Sequence, residues 1–143
     1  MLANRSIPSS TVIPELPYAD VGEAVDWLCN TFGFTLRLGI GNHRAQLNVG
    51  DGAVVVTDRG AVVGAQPSGH AVLVRIDNVN RHHERAAQRG ATILRPPADH
   101  PFGERQYTAQ DLGGHAWTFS QSIADVAPET WGGTPGQLDQ RPR

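Results

Sequence analysis

Lysine is absent from this 143-residue sequence: all 12 basic residues are arginine, set against 14 acidic residues for a net charge of −2. The arginines are scattered, which fits composition bias better than function. No strongly basic surface is implied, so neither nucleic acid nor an anionic membrane is an expected partner. The single cysteine, Cys29, excludes an internal disulfide. It falls within a helical pattern, where a buried, inert thiol is expected rather than a nucleophile. No apolar run is long enough to cross a bilayer, and the opening MLANRSIPSS lacks the apolar centre of a signal peptide. A soluble cytoplasmic protein is therefore expected. Also missing are G-x-S-x-G, a supported Cys–His pair, a phosphate-cradling glycine loop and zinc-ligand spacing.

What is present reads as one domain large enough for a core without staples. We place an N-terminal extension at 1–10, the domain at 11–122, and a C-terminal tail at 123–143 whose GGTPGQLDQRPR end is expected to fray. TVIPELPYAD suits an interrupted first strand, because Pro14 and Pro17 cannot donate to a ladder. From Val21, the residues Ala24, Val25, Leu28, Cys29 and Phe32 recur at helical spacing, and Gly33 closes the run. TLRLG follows, then HRAQLNV, the turn GDG and AVVVTD, which read as a hairpin. A Gly-rich link, RGAVVGAQPSG, leads to the strand HAVLVRI and a helix from Val79 to Gly90. TILR, a Pro-rich loop, RQYTAQ, the turn DLGG and HAWTFSQ complete the chain.

The order of elements occurs twice, over 11–60 and 70–122: strand, helix, then three strands. DVGEAVDWLCNTFGFTLR finds an echo in NVNRHHERAAQRGATILR, matching Val21 with Val79, Gly33 with Gly90 and Arg37 with Arg95. The turn glycines Gly52 and Gly114 match in the same way. Identity within each pair is weak, but order and spacing agree together.

Four stretches in sequence resemble the vicinal oxygen chelate superfamily, which includes glyoxalase I, extradiol dioxygenases and bleomycin resistance proteins: PYADVGEAVDWLCNTFGF, GDGAVVV, GHAVLVRIDNV and PFGERQYTAQDLGGHAWTF. The F-G-E-R and D-x-x-G-H-x-W-x-F elements most resemble the PhnB-like and bleomycin-resistance branch. The resemblance implies an α+β fold, with two βαβββ modules forming a curved mixed sheet around a cavity that is often completed in a homodimer. It also implies four metal-ligand positions, which fall here on Ile13, Val56, Ala71 and Thr118. None is a His, Glu or Asp, and an alkyl side chain offers no lone pair to a transition metal. No metal and no cofactor is expected. His70 neighbours the third position and a bulge near Gly69 could bring it in; a surface histidine at a strand start is the favoured reading. His82 and His83 are assigned to a solvated helix face.

Alternation then divides RAQLNV into an apolar face (Ala45, Leu47, Val49) and a polar one (Arg44, Gln46, Asn48). In the second half, Tyr107 and Ala109 alternate with Gln106, Thr108 and Gln110. Taken with the resemblance, Glu15, Arg44, Gln46, Asn48, Gln106, Thr108 and Thr118 become candidate ligand-binding residues lining the concave side. Trp27, Tyr107, Trp117 and Trp131 are candidates for stacking as well as for core or interface, and Trp131 is a candidate dimer anchor. The favoured function is a metal-free binder of a small molecule, such as a sequestered drug or natural product. The alternative is a lyase, isomerase or dioxygenase of the same superfamily, with Glu15 as general base. A structural or partner-binding domain is the third class.

Overall fold

Turn residues at short intervals cut this chain into brief elements. The computed structural model describes residues 2–61 and 69–136. Its elements are β1 (Glu15–Pro17), α1 (Val21–Phe32), β2 (Thr35–Ile40), β3 (Arg44–Val49), β4 (Gly52–Thr57), β5 (Ala71–Arg75), α2 (Val79–Gln88), β6 (Thr92–Asp99), β7 (Glu104–Gln110) and β8 (Ala116–Ser122). The helices form where the sequence places them. Asp20 caps α1 by accepting from the Glu23 N–H at 3.0 Å, and Asn78 caps α2 by accepting from Arg81 at the same distance. Gly33, at φ +81°, ends α1 with its N–H on the Cys29 carbonyl.

The strands form two mixed sheets, ordered β1-β4-β3-β2 and β5-β8-β7-β6, which do not join into one closed sheet. In each, the first strand pairs in parallel with the last, and the other neighbours are antiparallel. This is the expected α+β pair of βαβββ modules.

Both modules feed one core. Ala45, Leu47, Val54 and Val56 from the first sheet are buried with Tyr107, Ala109, Trp117 and Phe119 from the second. The Phe32 ring sits 5.9 Å from Trp117 and 4.9 Å from Phe119, and Phe34 lies 5.2 Å from Trp117. One face of each sheet therefore looks into this shared core, and the other looks outward.

Two sequence expectations change. The Pro-rich loop is strand: Pro96 and Pro97 lie within β6, where the pairing with β7 skips from Arg95 to Ala98 and so accommodates the missing donors. The two hairpin turns differ in length, since Val49 pairs with Gly52 but Gln110 pairs with Ala116. The extension at 2–10 lies against the outward face of the first sheet. Residues 62–68 of the Gly-rich link and 137–143 of the tail lie outside the described residues. The rest of the tail turns back through the Ile123 and Ala124 N–H groups, both on the Gly103 carbonyl, to a 3-10 turn at Pro128–Trp131.

Candidate functional site

The outward faces carry the polar residues that strand alternation assigns to them. On the first sheet, Glu15 and Gln46 align with Val55, Arg44 with Thr57, and Asn48 with Ala53. Glu15, Arg44, Gln46 and Asn48 therefore share the face turned from the core. Glu15 is exposed, and Arg44 Nη2 lies 2.7 Å from its Oε1. Gln46 is only 5% exposed. Its Nε2 donates to the Ser6 carbonyl at 3.0 Å, and its Oε1 accepts from Arg37. The N-terminal segment thus covers the middle of this face.

The second sheet carries a chain of side-chain hydrogen bonds on the corresponding face. Thr108 and Thr118 stand opposite each other with their hydroxyls 2.8 Å apart. Gln106 Nε2 donates to Ser120 Oγ at 3.0 Å, and that hydroxyl donates to Glu104 Oε1 at 2.6 Å. Arg75 Nη1 donates to Ser122 Oγ at 3.1 Å. Donation from Ser120, then from Ser122, holds the Glu104 carboxyl below its ordinary range. Beside this row Leu73, in the centre of β5, is 66% exposed. The face offers hydroxyls, an amide, a carboxylate and a guanidinium next to bare apolar surface, which suits recognition of an amphipathic molecule.

The four implied metal positions fail a test of donor chemistry. Counting back equally from the buried helix openers Val21 and Val79 matches Ile13 with Ala71 and Glu15 with Leu73. Glu15 aligns with Val55 and Leu73 with Thr118, so the residue equivalent to Thr118 is Val55. Val56 is a fully buried core residue. Val56 is displaced by one residue from the place of Thr118 because Gly52 and Gly114 lie in turns of unequal length. The corrected set is Ile13, Val55, Ala71 and Thr118: three alkyl side chains and one hydroxyl already bonded to Thr108. These residues do not fit a transition metal. Among the described residues, no group of three His, Cys, Asp or Glu side chains could hold a metal ion.

Other candidates also move. Tyr107 and Trp117 are buried in the core, so neither presents a ring to a ligand. Trp27 packs edge-on to Phe32 at 5.1 Å, while Trp131 stays half-exposed beside Phe102 at 5.4 Å. His82 is half-buried rather than on an open helix face: its Nδ1 is 2.5 Å from the Tyr107 hydroxyl and its Nε2 is 3.0 Å from the Phe32 carbonyl, joining the modules. His83 and Tyr107 meet with their rings near perpendicular, 5.2 Å apart. His70 sits 5.6 Å, ring to ring, from buried His115, whose Nε2 is 2.8 Å from the Pro17 carbonyl. Cys29 is half-buried rather than fully buried; burial, then Asp26, pushes its thiol up, as an inert thiol requires. Sequence reasoning missed Arg37, Arg75, Glu104 and Ser120. For Glu104 and Ser120, alternation with Gln106 and Thr118 carried the signal; for Arg75, alternation along β5 from Ala71 did.

This geometry and the sequence meet in one class of protein. Residues 11–119 match the sequence model of the Glyoxalase/Bleomycin resistance protein/Dioxygenase superfamily. The chain belongs to that superfamily. It is similar to TioX from Micromonospora sp. ML1, with 37% identity over 80% of this chain and 100% of that one, at a TM-score of 0.68. A glyoxalase/bleomycin resistance protein from Streptomyces sp. CB03234 shares 25% identity, covering 78% of this chain and 100% of its own, at a TM-score of 0.64. A glyoxalase/bleomycin resistance protein/dioxygenase from Nocardioides, at 21% identity, 92% and 91% coverage and a TM-score of 0.60, shares the fold. Comparison with curated proteins finds no match.

Proposed function

We propose that this chain is a small-molecule-binding protein of the bleomycin-resistance-like kind, which holds its ligand on the outward sheet faces without a metal. The observation that carries this reading is the row Arg75–Ser122, Glu104–Ser120–Gln106 and Thr108–Thr118 on a sheet face where Leu73 also stays exposed. The likeness to a glyoxalase/bleomycin resistance protein, at 25% identity, supports the sequestration of a drug or natural product. The ligand positions, occupied by Ile13, Val55, Ala71 and Thr118, support binding without metal.

A homodimer belongs to the same proposal. Each sheet turns one face into the chain's own core, so a second copy laid against the outward faces would enclose the ligand and cover Leu73. Such an interface would bury on the order of 1,200 Å² or more.

The test is a thermal-shift screen of small aromatic and glycopeptide-like compounds, followed by affinity measurement for any hit. Gln106→Ala should weaken binding by roughly 0.5–1.5 kcal/mol and leave the fold intact. Leu47→Ala should cost roughly 2–5 kcal/mol of stability, because it opens a cavity in the core. An affinity unchanged by Gln106→Ala and Thr118→Val would remove the second-sheet face as the site. Stoichiometric transition metal in tag-free protein, with a thermal shift on chelation, would overturn the metal-free reading.

A further inference from the structure

The extension at 2–10 precedes the stretch that matches the superfamily, and it is held in an unusual way. Three consecutive backbone carbonyls make the contacts. Those of Arg5 and Ile7 accept from Arg37 Nη2 at 2.9 and 3.3 Å, and that of Ser6 accepts from Gln46 Nε2 at 3.0 Å. Among the described residues, no backbone–backbone hydrogen bond ties 2–10 to a strand. Pro8 is buried, while the side chains of Leu2, Arg5, Ser6 and Ile7 stay exposed. A cavity of about 620 Å³ remains along the segment, and Arg37 is the one sheet residue in its lining. The segment is pinned at a few carbonyls and is not packed down along its length.

The two donors act as a unit. Arg37 also donates to Gln46 Oε1, which uses the amide's acceptor and leaves its N–H groups to face the segment. A guanidinium has donors only, so the pair presents donors alone and reads the peptide bond rather than any side chain. We propose that Arg37 and Gln46 form a binding site for successive amide carbonyls of a peptide-like ligand held in a turn, the conformation that residues 5–7 adopt. Residues 5–7 occupy that site in cis as a displaceable strap. The inference rests on the reading of the outward faces as the ligand side, and it adds a ligand class and a competitor for the first sheet. A short tether supplies the strap at an effective concentration in the millimolar range, so a ligand in trans must exceed that or bind more tightly.

The strap contains its own reporter, the Arg5–Ser6 bond, which trypsin cleaves only when the segment is free. In the full-length protein, release of residues 1–5 is followed by mass spectrometry under conditions where cleavage tracks the open population. Arg37→Ala should speed it at least about tenfold, because it removes two bonds to a charged donor; Arg105→Ala, in the other module, should not change it. A doubly capped peptide of residues 4–9 carrying Arg5→Gln, at about 10 mM, should speed cleavage of the wild type severalfold and leave Arg37→Ala unaffected. Equal cleavage rates for wild type and Arg37→Ala would show that the strap is not held there. No effect of the peptide, or an equal effect of acetate, would overturn the carbonyl site. A failed compound screen on the second sheet would leave these cleavage rates untouched, so the two proposals fail separately.

Discussion

The Tyr18 hydroxyl, just beyond β1, donates to Asp111 Oδ2 at 2.5 Å across the two modules. The same carboxylate accepts from Trp117 Nε1 at 2.9 Å and from the Gly113 and His115 N–H groups. One aspartate thus fixes the β7–β8 turn, orients the largest core side chain and anchors the first module. Burial first, then the charge of Asp111, raises the Tyr18 hydroxyl far above its ordinary value and keeps it a donor. Tyr18→Phe should cost roughly 1.5–3 kcal/mol. Asp111→Ala leaves buried donors without an acceptor and should cost about 3 kcal/mol or more. Urea denaturation with an unchanged slope measures both, and a silent Asp111→Ala would refute this account of how the modules are joined.

His82 gives the protein a pH dependence of known sign. Burial, chiefly, holds its imidazole below the ordinary value and Arg85 adds in the same sense, while the bond to the Phe32 carbonyl opposes them. The Tyr107 hydroxyl is its other hydrogen-bond partner, and His83 packs against that same Tyr107 ring. Below about pH 6.5 the unfolded chain binds this proton more readily than the folded one, so stability falls on acidification. Wild type should lose stability between pH 7 and pH 5, and His82→Gln should flatten that slope. An equal slope in the variant would assign the effect elsewhere.

Two glycines separate backbone strain from crowding. Gly90, at φ +91°, has nothing within 4 Å of a Cβ added there, whereas at Gly103, φ +84°, the added atom would meet the Ala124 carbonyl oxygen at 2.3 Å. Gly90→Ala should cost about 1 kcal/mol for the left-handed conformation alone. Gly103→Ala should cost about 3 kcal/mol or more, because the obstacle is the backbone of the tail that this turn receives. Melting temperatures of the two variants test the order, and equal shifts would sink it.

The helices and the division of β3 and β7 into two faces were legible in the sequence, because capping residues and alternation are local signals. Ala45, Leu47, Tyr107 and Ala109 are buried as their parity requires. Register was less legible. The Val56 assignment depended on turn length, which the Gly-containing turns GDG and DLGG do not reveal, and Val55 takes that place. Pro96 and Pro97 read as loop because a strand tolerates them only where its pairing is broken. His82 read as surface because nothing beside it in sequence announces Tyr107 or Phe32. The strap was invisible for a different reason: its contacts run through backbone carbonyls, which every residue has.

The prolines of β6 have one more effect. β6 is an outermost strand of its sheet and, among the described residues, is bonded to β7 and to no other strand. On an open edge, alternate N–H groups point outward and invite a strand from another molecule. Two consecutive prolines remove one such group whichever way the alternation falls, and the broken pairing beside them bends the edge. Amyloid-like stacking along that side of the second sheet is thereby blunted.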